Sequence, residues 1–289
     1  LTVRAYVELI RKAKGDSRIK GILLRPGGIS SPFWAKLQEI RSALEDFKTS
    51  GKYVYAWLEY AGDREYYLAS VADRVYLLPS ASLDLTGVAT YEVFLRGTFD
   101  WIGTYPDFLH VGDYKTAVNT YLEKNYTPAH REMSQSLNRS QYDHLVQTIA
   151  NSRKKPEAEV RALIDQGPFQ PEDALRVGLI DDVAYEDELD DLTDDLDNTR
   201  YIDAEDYAQV SWEATGVVRR AKIAVIHAAG VINSGTSGFD PVNGAVIGAD
   251  SLVEYIREAR ADRSIRAIVL RVDSPGGSST ASDVIWREL

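Results

Sequence analysis

Apolar and polar positions alternate along this chain with two periods, and the periods take turns. VRAYVELIRKAK, Val3 to Lys14, has the three-to-four-residue apolar spacing of an amphipathic helix. IKGILLR, Ile19 to Arg25, is a short apolar run bounded by charge and then by Pro-Gly-Gly, the pattern of a buried strand. PFWAKLQEIRSALEDFKTSG, Pro32 to Gly51, returns to helical spacing and ends on a glycine that suits a C-cap. KYVYAWLEY predicts a strand, DREYYLASVAD a short helix and RVYLLP another strand. YPDFLHV, Tyr105 to Val111, predicts a further strand leading into GDYKTAVNTY. Residues 129–165 are helical in pattern. Such alternation implies parallel strands joined by crossover helices, hence an α/β fold.

The pattern also repeats. VELIRKAKGDSRIKGILLR, Val7 to Arg25, aligns without a gap to VEYIREARADRSIRAIVLR, Val253 to Arg271, and about half of the positions are identical. Each copy runs into a glycine pair, at Pro26 to Gly28 and at Ser274 to Gly277. Each then enters a tryptophan-containing helix, with Trp34 and Trp286. The reading is a duplicated α/β unit. The second copy has a strand upstream, AKIAVIHAAGVI, and the first copy has none. The first copy continues past its helix, and the second stops inside it. The expectation is therefore a chain cut at both ends of the duplication. Residues 1–197 would form the first repeat without its first strand, 198–220 an acidic or polar linker, and 221–289 the start of the second repeat.

Composition narrows the function. Of 289 residues, 44 are acidic and 33 are Lys or Arg, a formal charge of -11. No basic stripe is present, which argues against a nucleic-acid partner. The acidity gathers in Glu186 to Asp206, where a solvated linker is the ordinary reading. The absence of cysteine removes disulfides, thiolate metal sites and a cysteine nucleophile. No window approaches 18 apolar residues, so neither a membrane span nor a signal peptide is expected within these residues. No cofactor is called for.

Candidate chemistry lies in three places. VDSPGGSST, Val272 to Thr280, puts Gly276 and Gly277 between a strand and a helix start. Backbone N–H groups there could bind an oxyanion in acyl transfer. An ordinary turn, with Ser278 or Ser279 capping the helix, explains the same residues. Ser274 or Ser278 as a nucleophile is weaker, and no GxSxG elbow occurs. His110, His130, His144 and His227 have no metal-ligand spacing and no evident serine or aspartate partner. His110 and His227 lie in apolar runs and read as strand or core residues. Lys115 follows the apolar run and Gly112 and opens an amphipathic segment. Most such lysines are solvated. Burial or a helix N-terminus can turn one into a base, and Ser/Lys pairs activate serine without histidine. Asp113 would oppose that change if it pointed inward.

VGDYKTAVNTY, DREYYLASVADRVYLLP, the DLTG of Asp84 to Gly87, PEDALRVGLIDDV and VDSPGGSSTASDVI together resemble the signal peptide peptidase A family in its long, duplicated form. The resemblance implies a Clp protease/crotonase-like fold and membrane-anchored serine proteases that act on signal peptide remnants. It implies a general base at Lys115, an oxyanion-hole glycine in the Gly276–Gly277 turn, and a nucleophilic serine further along the second repeat than Leu289. In the first repeat the matching place falls on about Asp63, followed by Arg64 and Glu65 in place of glycine, so that repeat would supply no nucleophile. RPGGISSP would only turn the chain, and Ser70 would be structural. Family likeness further implies a homo-oligomeric ring, with EDALRVGLIDDV and 129–165 as candidate assembly surfaces. It also implies an anchor outside this chain and a place on the outer face of the inner membrane. By itself this stretch would be an inactive, soluble fragment. Two rivals stand beside this reading. One is a non-catalytic scaffold of the same fold. The other is an acyl-CoA hydratase or isomerase, for which Glu59 or Glu65 would be the acid.

Overall fold

A computed structural model of the chain describes residues 2–27, 34–189, 200–216, 222–241 and 244–289. The chain divides into two compact units, Leu1–Val217 and Val218–Leu289.

The first unit is built on a parallel sheet. Helix α1 (Val3–Gly15) precedes strand β1 (Gly21–Leu24), and helix α2 (Trp34–Lys48) crosses over to β2 (Tyr53–Leu58). A two-residue strand β3 (Ala61–Gly62) leads into α3 (Asp63–Ala69), which returns to β4 (Arg74–Leu77). The sheet order is β1-β2-β4-β6, with β6 at Asp182–Val183, and every pairing is parallel. Parallel strands covered on both faces lose the in/out alternation. β2 shows this: all its residues after Tyr53 are buried. Leu44, Phe47, Leu58, Tyr66 and Leu77 meet in the core, each fully buried. Each such side chain contributes about 2 kcal/mol by burial alone. The two-residue β3 pairs with β5 (Leu83–Asp84), which also bridges to Phe169.

The long helix α6 (Pro128–Arg153) follows the short helices α4 (Arg96–Trp101) and α5 (Asn119–Leu122). Thr127 caps it by accepting from the His130 N–H at 3.2 Å, with Pro128 in the first turn. Only its second half is consistently buried, through Leu145, Val146, Ile149 and Ala150. Its first half carries the segment that holds Lys115. Helices α7 (Glu157–Ile164) and α8 (Pro171–Arg176) complete the helical region expected over 129–165 and the EDAL turn after it.

Two expectations need correction here. Tyr105–Val111 is not a strand. It is irregular and open to solvent, with Leu109 fully exposed and Val111 nearly so. An apolar run reads as a buried strand only if a neighbour supplies hydrogen bonds, and no described strand of this unit does. The stretch assigned to a linker is, in its described part, packed onto α1. Helix α9 (Ala204–Gln209) buries Tyr207, and the buried Lys12 ammonium donates to the Tyr207 carbonyl at 2.6 Å and to that of Val210 at 2.8 Å. The middle of the acidic run, at 190–199, lies outside the described residues.

The second unit contains β7 (Lys222–Ala229), β8 (Val231–Asn233), β9 (Gly238–Asp240), β10 (Gly244–Gly248), α10 (Ala249–Ala261), β11 (Ile265–Asp273) and α11 (Ser279–Glu288). β11 runs parallel to β7, with Val269 opposite Val225. β8 runs parallel to β10, which pairs antiparallel with β9. Leu252, Ile256, Ala281 and Ile285 pack with Ile226 and Ala228 in a small core.

Helices α1 and α10 share their local geometry. Each has 13 residues. Val7, Ile10 and Ala13 are buried in one, and Val253, Ile256 and Ala259 in the other. Each ends on an extended aspartate, Asp16 or Asp262. The Asp16 carboxylate accepts from the Arg18 N–H at 3.1 Å, and that of Asp262 from the Ser264 N–H at 2.8 Å. The Asp16 carbonyl accepts from Ile19 at 3.1 Å, and that of Asp262 from Ile265 at 3.0 Å.

Candidate active site

Lys115 stands where an exposed loop turns into a short 3-10 segment, Thr116–Val118. Gly112 makes the turn with φ 85°, and its carbonyl accepts from the Lys115 N–H at 3.3 Å. The following residues fix the segment to α6. Thr116 is buried, with its hydroxyl 3.7 Å from the Met133 sulfur. Buried Asn119 meets the Nδ1 of buried His130 at 3.4 Å, and Tyr114 donates to Glu132 at 2.7 Å. These anchors leave the Lys115 side chain exposed within its unit, without a hydrogen bond or ion pair among the described residues. Asp113 is exposed too.

The Gly-Gly turn lies in the second unit, between β11 and α11. Gly276 has φ 106° and Gly277 φ 154°. A Cβ at Gly277 would stand 2.1 Å from the Ile232 carbonyl oxygen, so only glycine fits there. β8 grips the turn by two backbone bonds. The Ile232 N–H donates to the Gly276 carbonyl at 2.9 Å, and the Ser278 N–H donates to the Ile232 carbonyl at 2.8 Å. The Gly276–Gly277 peptide is trans, so its N–H points opposite to its carbonyl. Its carbonyl faces β8. The Gly277 N–H therefore faces the open side, without a partner among the described residues. Ser278 begins α11, accepting from the Ala281 N–H at 3.2 Å. An exposed, unspent N–H beside a helix start is suited to an anion or a developing oxyanion.

Pro26-Gly27 in the first unit differs. A Cβ at Gly27 would meet no atom within 4 Å, and the residue has no left-handed φ. Gly28 lies outside the described residues. Arg25, in front of the proline, pairs with Glu186.

Asp63 opens α3 directly after β3. Its carboxylate accepts from the Gly87 N–H at 2.9 Å. Burial raises its pKa above the usual carboxylate range, against the hydrogen bonds it receives. Glu65 is buried beside it, whereas Glu59 is exposed. Ser70 is buried and donates to the Tyr67 carbonyl at 3.0 Å, as a structural serine should.

Two of the histidines, His130 and His144, are packed against aromatic rings, and two, His110 and His227, are exposed. His130 is enclosed by the rings of Phe94 and Tyr126, and His144 contacts the Tyr67 hydroxyl at 3.0 Å. His227 lies on β7. His110, expected in a strand or core, stands exposed in the irregular loop. Among the described residues no group of three His, Asp or Glu side chains is placed to hold a metal.

Sequence reasoning missed Ser274 except as a weak nucleophile candidate. Its hydroxyl donates to the Gly230 carbonyl at 2.6 Å and accepts from the Gly276 N–H at 3.1 Å. Only its place before Pro-Gly-Gly could have drawn attention to it.

Residues 46–200 match the model of Peptidase family S49. Lys115 and Asp63 fall inside the match, and the Gly276–Gly277 turn lies beyond it. The chain is 32% identical over 285 residues to the "Serine protease SPPA, chloroplastic" of Arabidopsis thaliana, covering 96% of this chain and 42% of that protein. It is 33% identical over 298 residues to "Protease 4" of Salmonella typhi, covering 98% of this chain and 47% of that protein. "Putative signal peptide peptidase SppA" of Enterococcus faecium is 23% identical over 191 residues, covering 65% of this chain and 54% of that protein. The chain thus spans less than half the length of the first two relatives.

Proposed function

The chain belongs to peptidase family S49, and on that premise we propose that it is part of a serine endopeptidase that degrades cleaved signal peptides through a Ser/Lys dyad. Lys115 is the general base. The Gly277 N–H, in the turn that it forms with Gly276, binds the oxyanion. The observation that carries this reading is the free N–H on a turn that admits only glycine.

The chemistry follows from the groups. A neutral Lys115 amine takes the proton of a serine hydroxyl as the oxygen attacks the scissile carbonyl. Negative charge develops on the carbonyl oxygen and is met by the Gly277 N–H. The ammonium then returns its proton to the leaving amine. A lysine base must be desolvated to be neutral. Since Lys115 is exposed in its own unit, the surroundings that desolvate it are supplied by the assembled enzyme and its bound peptide. The serine belongs to the part of the relatives' length that this chain does not span. Asp63 at the matching place of the first unit supports that assignment, because a half-buried carboxylate that accepts from the Gly87 N–H carries no hydroxyl to act as nucleophile.

The two units descend from one duplicated α/β element of Clp protease/crotonase type. The shared length, burial pattern and aspartate turn of α1 and α10 support this. The protein assembles as a homo-oligomeric ring, so that base and oxyanion donor can be filled by one chain or by two copies. It works at the outer face of the inner membrane. Among the described residues no helix is long and apolar enough to cross a membrane. A second reading, a non-catalytic scaffold, is favoured by one observation, the unpartnered and exposed Lys115.

Labelling by a serine-reactive fluorophosphonate tests the two. The full-length wild type should label, and Lys115→Met should not, with assembly unchanged by light scattering. Absence of labelling in the wild type would favour the scaffold.

A further inference from the structure

The Gly-Gly turn must present one N–H in a fixed direction, yet both its residues are glycines and hold no direction by themselves. Two peptide units decide the outcome. The Gly276–Gly277 unit carries the free N–H, and its carbonyl is held by Ile232 at 2.9 Å. In the preceding unit, Pro275–Gly276, the Pro275 carbonyl has no hydrogen bond among the described residues, so the unit's N–H is the group by which it can be held.

Ser274 holds it. Its Oγ accepts from the Gly276 N–H at 3.1 Å, and its proton goes to the Gly230 carbonyl at 2.6 Å. The Gly276 carbonyl stands further off, at 3.4 Å. Gly230 is itself fixed at the end of β7. Its N–H donates to the Asp273 carbonyl at 3.0 Å, its φ is 112°, and a Cβ there would stand 1.9 Å from the Ala245 carbonyl oxygen. One half-buried hydroxyl thus ties the flexible turn to a rigid point between β7 and β8. The first unit lacks this tie: Arg25 directly precedes Pro26 and reaches to Glu186 instead.

We propose that Ser274 is a positioning residue for the reaction, fixing the peptide before Gly276 so that the Gly277 N–H faces the scissile carbonyl. In this role Ser274 acts through the turn, by its bonds to Gly230 and Gly276, and not on the substrate. Without its hydroxyl the Pro275–Gly276 peptide rotates freely, and the turn samples orientations in which the Gly277 N–H faces elsewhere. Ground-state peptide binding does not depend on that N–H, whereas the charged transition state does. The inference rests on the proposed oxyanion role of the turn.

Steady-state cleavage of a fluorogenic hydrophobic peptide by the full-length protein tests it, with Ser274→Ala, Ser274→Thr and Lys115→Ala compared. For Ser274→Ala, kcat should fall roughly 10- to 100-fold with KM within twofold, below the loss for a deleted oxyanion donor. Ser274→Thr keeps the hydroxyl and should recover most of kcat. Inhibition by a peptide aldehyde, whose adduct bears the oxyanion, should weaken in Ser274→Ala by the same factor as kcat. An unchanged kcat in Ser274→Ala, or a rise in KM alone, would overturn the proposal. So would a Ser274→Thr variant as slow as Ser274→Ala. If Ser274→Ala is unchanged while Lys115→Ala is dead, positioning by Ser274 fails and the Ser/Lys reading survives. If Lys115→Ala cleaves normally, that reading fails whatever Ser274 does.

Discussion

A Pro-Gly pair follows each of two similar helix–strand segments, Pro26-Gly27 and Pro275-Gly276, and the described surroundings of the two pairs differ. In the second unit Gly277 leaves no room for a side chain, Gly276 has a left-handed φ of 106°, the turn is gripped by β8, and Ser274 ties it to Gly230. In the first unit Gly27 has open space, no left-handed backbone and an arginine where the tie would be. The helix before each turn shows the opposite bias. The Asp16 turn is buried, bonded to Arg18 and to the Tyr207 hydroxyl at 3.1 Å, and sealed by α9. The Asp262 turn is exposed and bonds mainly to Ser264. The second unit has a fixed turn with a free N–H, as the proposed oxyanion role needs. The first unit buries its aspartate turn and carries Lys115 on a segment anchored at Thr116 and Asn119.

The largest break in this contrast is Gly277→Ala. The new methyl meets the Ile232 carbonyl, so cleavage by the full-length protein should fall more than about 100-fold. Gly27→Ala, at the place that matches Gly276, meets nothing, has no left-handed φ to strain, and should leave both the rate and the melting temperature within error; damage as large as that of Gly277→Ala would erase the distinction. Asp16→Ala comes next. It strips Arg18, Tyr207 and the α1 cap of a buried acceptor, and chemical denaturation of the first unit should show a loss of about 2 kcal/mol. Asp262→Ala, at an exposed turn, should shift its own unit less.

The pH dependence of Asp16 sharpens the same point. Hydrogen bonds from Arg18 hold its pKa at about 2, against an ordinary 3.8. A depressed carboxylate stabilises the fold above its unfolded pKa and loses that contribution as pH falls through the folded one. The advantage of wild type over Asp16→Asn in thermal unfolding should therefore be full at pH 5 to 7, begin to shrink below about pH 4, and vanish near pH 2. A constant difference across that range would contradict the assignment. The smallest effect is Tyr207→Phe, which removes one hydroxyl from the same carboxylate and should lower stability by about 1 kcal/mol in the same denaturation experiment.

Much of the architecture could be read from residue order. α1, α2, α3, β1, β2 and β4 fall where the periods place them, because their apolar spacing, caps and burial agree. Tyr105–Val111 failed because an apolar run does not say whether a partner strand exists. The packing of α9 on α1 was hidden inside a polar, acidic composition, since its decisive contacts use a buried lysine and backbone carbonyls. The glycine pair was visible as a turn, but the direction of its N–H depends on β8, far earlier in the chain. Ser274 was opaque for the same reason, as its partner Gly230 is 44 residues away. Lys115 could be singled out only by family likeness. Its anchors were not evident, because Thr116 and Asn119 look like any polar pair on a short helix.

The central claim is that Lys115 moves the proton. Its most direct test is cleavage of a fluorogenic peptide by full-length Lys115→Ala, with and without an added small primary amine. The account predicts a loss of about 1,000-fold or more, partly restored in proportion to the concentration of unprotonated amine, with the wild type unaffected by the amine. Cleavage at the wild-type rate without amine would return Lys115 to the solvated surface and contradict the mechanism.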